Sequence, residues 1–132
     1  MQKFITTHHV NPANEELTIE ASDNPGAGGA QHRYVISGFD SRDNISKFPT
    51  DEPTSEVVIL FQNGPIPING VNGVTHEALL AIVKDRLEAF QAGPYACDDN
   101  AVALASIDNA ITALHTRTKA RLARGVEGTH AV

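Results

Sequence analysis

Arg117, Arg121 and Arg124 recur at i, i+4 and i+7 in the run HTRTKARLAR, so on a helix three guanidinium groups project from one face while Lys119 points elsewhere. Between His115 and Arg124 there are four cations and no carboxylate, in a protein of net charge -6 and pI near 5.4. A row of arginines grips phosphate oxygens through paired hydrogen bonds, with a directionality that lysine lacks. The same run also suits a solvated helix end, where cations complement the helix dipole. Phe90 and Asn100 form a second combination. An aromatic face with a nearby carboxamide can hold a purine, the ring by stacking and the amide by pairing with an edge. Each has a structural reading too: Phe90 continues a helical apolar stripe, and Asn100 caps or solvates a first turn.

Other chemistry finds little footing. The single cysteine, Cys97, excludes an internal disulfide and a cysteine-rich zinc site, and no local signature sets a base beside it. The six histidines are scattered, and adjacent His8 and His9 in a strand-like stretch would point to opposite sheet faces, unable to share a metal. Gly28-Gly29 lacks the Lys-Ser/Thr pair and the following helix of a phosphate loop. The carboxylates lie mostly in loops, with no apolar setting to raise a pKa for acid-base work. The reading is a binding protein with no catalytic residues, no metal and no cofactor. An acidic chain disfavours long nucleic acid as a partner, whereas a small anion needs only one basic pocket. The longest apolar runs, at 57–61 and 78–83, fall far short of the roughly 20 residues of a membrane span. The opening MQKFITTHHV lacks a basic segment followed by an apolar stretch, so the expected compartment is the cytoplasm.

These residues must be positioned by a chain of 132 residues, 41% of them apolar, a length suited to one domain. The first 72 residues carry 4 basic and 9 acidic side chains, and the remainder 6 and 7. Strand-like segments at 4–7, 17–21, 33–37 and 56–61, separated by Gly- and Pro-rich loops at 24–30 and 41–55, predict an antiparallel sheet over 1–72. The period then changes. Thr75 is a helix N-cap, Leu79, Ile82, Val83, Leu87 and Phe90 recur at helical spacing, and Gly93-Pro94 stops the helix. A second helix starts near Cys97 or Asp98, carries Leu104, Ile107, Ile111, Leu114 and Leu122 on one stripe, and stops at Gly125. The short connection predicts an antiparallel two-helix hairpin over 73–132 with stripe facing stripe. The expected class is α+β, an N-terminal antiparallel sheet followed by a C-terminal helical hairpin, together one domain.

The segments NGVNGVT, FQAGP and ARGVEGTH, distinctive as a set, resemble the helical hairpin shared by phage nucleotide-signal sponges. That group includes the anti-Thoeris family, which sequesters a cyclic ADP-ribose isomer, and an anti-CBASS family, which sequesters cyclic oligonucleotides. The β-rich leader resembles the former. The resemblance implies ligand contacts at Phe90 in AFQAGP, Asn100 in CDDN, and Arg117 and Arg121 in RTKAR. On their chemistry, the expected roles are that Arg117 and Arg121 hold the pyrophosphate, Phe90 stacks on adenine, and Asn100 bonds a polar edge of base or ribose.

Helix geometry adds a constraint. Asn100 and Arg117 are 17 residues apart (117 − 100), about 25 Å in a straight helix at 1.5 Å per residue. One small nucleotide cannot span that, so a shared site must lie between protomers, and two-fold symmetry creates it twice per dimer. The resemblance implies symmetric assemblies reaching hexamers. The expected function is tight, reversible sequestration of a cyclic ADP-ribose messenger made by TIR enzymes, in the host bacterial cytoplasm and without bond breakage. The alternatives are a sponge for cyclic di- or trinucleotides, a messenger hydrolase, and a virion or assembly protein.

Overall fold

The computed structural model describes residues 2–129 and divides into two compact units. One runs to Asn63 and includes Val71–Gly73; the other holds Gly64–Gly70 and continues from Val74.

The first unit is a four-stranded antiparallel meander, β1 (Lys3–Ile5), β2 (Thr18–Ala21), β3 (Arg33–Ser37) and β4 (Glu56–Leu60), paired in that order. The register aligns Ile5, Ile19, Ile36 and Val57 in one row. Successive strand residues alternate faces, so Phe4, Glu20, Val35 and Val58 form the neighbouring row on the opposite face. The expected strand at 4–7 is shorter than its composition suggested. The backbone turns at Thr6–His9, with His9 N–H donating to the Thr6 carbonyl at 3.0 Å. His8 and His9 therefore do not point to opposite faces; their rings meet edge to face at 4.3 Å. A five-residue helix, α1 (Pro12–Glu16), fills the connection to β2, and Asn11 caps it by accepting from the Asn14 N–H. After β3 the chain turns at Gly38, whose φ of +97° and contact with the Glu16 carbonyl leave no room for a Cβ.

The loop between β2 and β3 is held by Asp23. Its carboxylate accepts from the backbone N–H groups of His32 (3.0 and 3.1 Å) and Arg33 (3.1 Å), while Gln31 Nε2 donates to the Asp23 carbonyl at 2.6 Å. Desolvation on its own raises the pKa of such a group. The N–H groups of Arg33 and His32, helped by the nearby His32 ring, outweigh it and hold the carboxyl below its ordinary 3.8. A pKa depressed in the folded state contributes stability that is present above the unfolded value and is lost as pH falls through the folded one. Asp23→Asn is therefore expected to lower the melting temperature by a few degrees at neutral pH. The gap between variant and parent should shrink as the pH is taken below 3.8; thermal melts across an acid series measure it.

The second unit contains α2 (Ile66–Asn69), α3 (His76–Gln91) and α4 (Asp98–Ala123). Thr75 caps α3 by accepting from the Ala78 N–H at 3.2 Å, and Cys97 caps α4 through Sγ, which accepts from the Asn100 N–H at 3.5 Å. The two long helices form the expected hairpin. Lys84 on α3 pairs with Asp108 on α4 at 2.9 Å, and Gln91 Oε1 accepts from the Cys97 N–H at 3.0 Å across the turn. Leu79, Leu87, Leu104, Ile107, Ile111 and Leu114 are partly covered, but Ile82 and Leu122 are each 61% exposed and Val102 66%. The stripes are thus wider than the contact one helix makes with the other, and part of each remains uncovered. Among the described residues no helix is long and apolar enough to cross a membrane.

Helix α4 ends in a glycine-based stop. Gly125 takes φ +72°, its N–H donates to the Leu122 carbonyl, and the Val126 N–H donates back to the Arg121 carbonyl, both at 3.0 Å. The chain that follows is fastened to α2, where the Ile66 N–H donates to the Gly128 carbonyl at 2.7 Å.

Candidate ligand site on the helical hairpin

Phe90 stands in the last turn of α3 and is 39% exposed. The Tyr95 ring, itself 72% exposed, meets it edge to face at 6.2 Å, and Arg86, one turn earlier on α3, holds Cζ 5.5 Å from its centroid. Asn100 lies in the first turn of α4 and donates through Nδ2 to the Tyr95 carbonyl at 3.3 Å. That bond fixes the carboxamide against the turn, while its oxygen has no hydrogen-bonding partner among the described residues. Phe90 and Asn100 therefore share one cluster at the hairpin tip, bridged by a residue the sequence reasoning passed over. Tyr95 gave no periodic signal because it sits in the turn. Arg86 had one, its i, i+4 relation to Phe90.

The arginines lie at the other end of α4. Arg117 is exposed and has no ion-pair partner among the described residues. Arg121 is not presented alongside it. Its side chain is buried, with Nε donating to Glu127 at 3.2 Å and Nη2 donating to the carbonyls of Val126 (2.9 Å) and Thr129 (3.0 Å). The three arginines that helical spacing puts on one face are not equally available: the Gly125 turn folds residues 126–129 back over the helix end, and Arg121 binds the acceptors they bring. Glu127 lies beyond the helical repeat, so spacing alone did not reveal the pair. Helix α4 is continuous from Asp98 to Ala123, which keeps Asn100 and Arg117 about 25 Å apart along one axis.

The sheet unit carries a separate cleft of about 300 Å³ lined by residues including Asp23, His32, Arg33, Phe61 and Asn72. Its polar groups mostly serve the fold. Asp23 holds the loop backbone, Arg33 Nη1 donates to Ser22 Oγ at 2.7 Å, and Asn72 bonds the backbone of Asn63 in both directions.

The Acb2/Tad1 hairpin domain matches residues 53–119, a span holding Phe90, Asn100 and Arg117 and stopping short of Arg121. A curated relative, Thoeris anti-defense 1 of Bacillus phage SBSphiJ7, is 35% identical over 130 residues, covering 97% of this chain and 82% of that protein. The chain belongs to the Thoeris anti-defense 1 family. Membership extends through the sheet unit as well as the hairpin, since the alignment covers nearly the whole chain. The β-rich N-terminal part expected from the sequence is the four-stranded meander.

Proposed function

We propose that this protein is a phage anti-defence sponge that binds a cyclic ADP-ribose isomer made by TIR enzymes, tightly and reversibly, in the cytoplasm of the infected bacterium. The observation that carries the reading is the tip cluster. An exposed aromatic ring and an anchored carboxamide meet there in a family whose characterised relative is named for countering Thoeris. Phe90 stacks on the base, Asn100 bonds a polar edge of base or ribose, and Arg117 takes the pyrophosphate, with Arg121 at the same helix end. To starve an effector the sponge needs a nanomolar Kd, about -12 kcal/mol, with slow release.

The site is shared between protomers, because its aromatic and cationic halves stand at opposite ends of α4. Uncovered Ile82, Val102 and Leu122 supply apolar surface for a second copy of the hairpin. Ile82→Asp should shift light-scattering mass toward the monomer and abolish binding together. A variant that remains monomeric yet binds normally would refute a shared site.

Isothermal titration with glycocyclic ADP-ribose, followed by denaturation and mass analysis of the released ligand, tests the function. Tight binding with intact ligand recovered is the expected result; a changed mass would make the protein a hydrolase, and no binding would end the proposal. The hairpin model spans two named families, Acb2 and Tad1, so cyclic di- and trinucleotides are the second ligand class to titrate.

A further inference from the structure

We propose that Arg86 is a further ligand-binding residue, the phosphate-binding cation on the aromatic half of the site. The inference rests on the sponge reading and deepens it. A pyrophosphate carries two negative charges, and the two-arginine grip that the family resemblance implies at the basic end of α4 uses Arg117 and Arg121 together. Arg121, however, spends Nε on Glu127 and Nη2 on the carbonyls of Val126 and Thr129. Releasing it would leave a carboxylate and two carbonyl oxygens without that donor, a cost that weighs against its use as a free clamp.

Arg86 is placed to supply the second guanidinium. It is exposed, on the helical turn preceding Phe90, with Cζ 5.5 Å from the ring centroid. Among the described residues it forms no ion pair, although Asp85 and Glu88 are close to it in sequence and the protein holds 16 acidic side chains against 10 basic ones. Its neighbour Lys84 is instead committed to Asp108. A guanidinium resting over an aromatic ring is weakly hydrated and keeps its N–H fork open at the edges. A nucleotide carries its phosphates one ribose away from its base. A base stacked at Phe90 and Tyr95 therefore brings its phosphate toward a cation anchored on the same helix, and Arg117 of the second protomer closes the other side.

Titrations of glycocyclic ADP-ribose into Arg86→Ala, Arg86→Met and Arg86→Lys, with Lys119→Ala as control, test this. Met keeps an unbranched chain packed over Phe90 without charge, so it separates the cation from its packing. The expected result is a Kd raised at least tenfold in both Ala and Met variants and less in the Lys variant. Their dependence of log Kd on log salt should also be shallower than the parent's. Melting temperature, oligomer mass and the Lys119→Ala affinity should stay unchanged. If Arg86→Met binds within twofold of the parent while Arg117→Ala does not bind, the inference is overturned and the sponge reading stands. If the parent itself fails to bind, the sponge reading falls and takes this inference with it.

Discussion

Arg117→Ala will weaken binding of the proposed cyclic ADP-ribose ligand at least hundredfold, about 2.8 kcal/mol, and leave the melting temperature of the free protein unchanged. The large first effect follows from what is removed. A guanidinium paired with a pyrophosphate makes charge-assisted, forked hydrogen bonds, and truncating one partner of such a pair in a desolvated site typically costs 2 to 5 kcal/mol. The absence of the second effect follows from exposure: Arg117 has no ion pair among the described residues and covers little of the fold. Phe90→Ala should likewise lose affinity, since stacking on a base is worth about 1 to 3 kcal/mol. Titration calorimetry beside thermal melts separates the two readouts. An Arg117→Ala variant that binds as the parent does would remove the phosphate grip from the basic end of α4.

Arg121→Ala should behave differently, losing stability and binding together. Its side chain is 8% exposed and ties Glu127, Val126 and Thr129 to the end of α4. The segment it holds is also joined to α2 through Ile66 and Gly128. Removing a buried charge that satisfies three acceptors costs about 3 kcal/mol, a fall of roughly 10 °C in a domain of this size. Glu127→Gln should cost less, because the amide oxygen still accepts from Arg121 Nε. If Arg121 positions the helix end rather than gripping ligand, Glu127→Ala will reproduce part of its stability loss with intact Arg117 and weakened binding. An unchanged melting temperature in Arg121→Ala would show that the tie contributes nothing and return the residue to the ligand.

The contrast between two arginines four residues apart shows where reading a sequence stops. Helical spacing placed both on one face of α4, and that much is a property of the local repeat. Whether the face met solvent or protein depended on residues 126–129 returning over it after Gly125. Local rules also gave Thr75 its capping role and put the start of the second helix at Cys97 or Asp98, since a cap involves neighbours three residues away. They failed at His8 and His9. There the composition continued in strand fashion, but β1 had already ended at Ile5, and the turn brought the two rings together. The short helices α1 and α2 were missed for a similar reason, as each is too brief to display an apolar period.

What the sequence by itself determined is whatever a single segment decides: strands in the first 72 residues, two helices with their caps and stops, a row of arginines on one helix face, and the motifs that mark the family. These depend on backbone preferences and on contacts within a few residues, which are written in order along the chain. Only the tertiary structure decided which polar groups are already spent. It set Tyr95 between Phe90 and Asn100 and turned Arg121 inward to Glu127. Each of those outcomes needs a turn to bring distant atoms within hydrogen-bond or van der Waals reach, and no periodicity encodes where a returning chain will come to rest.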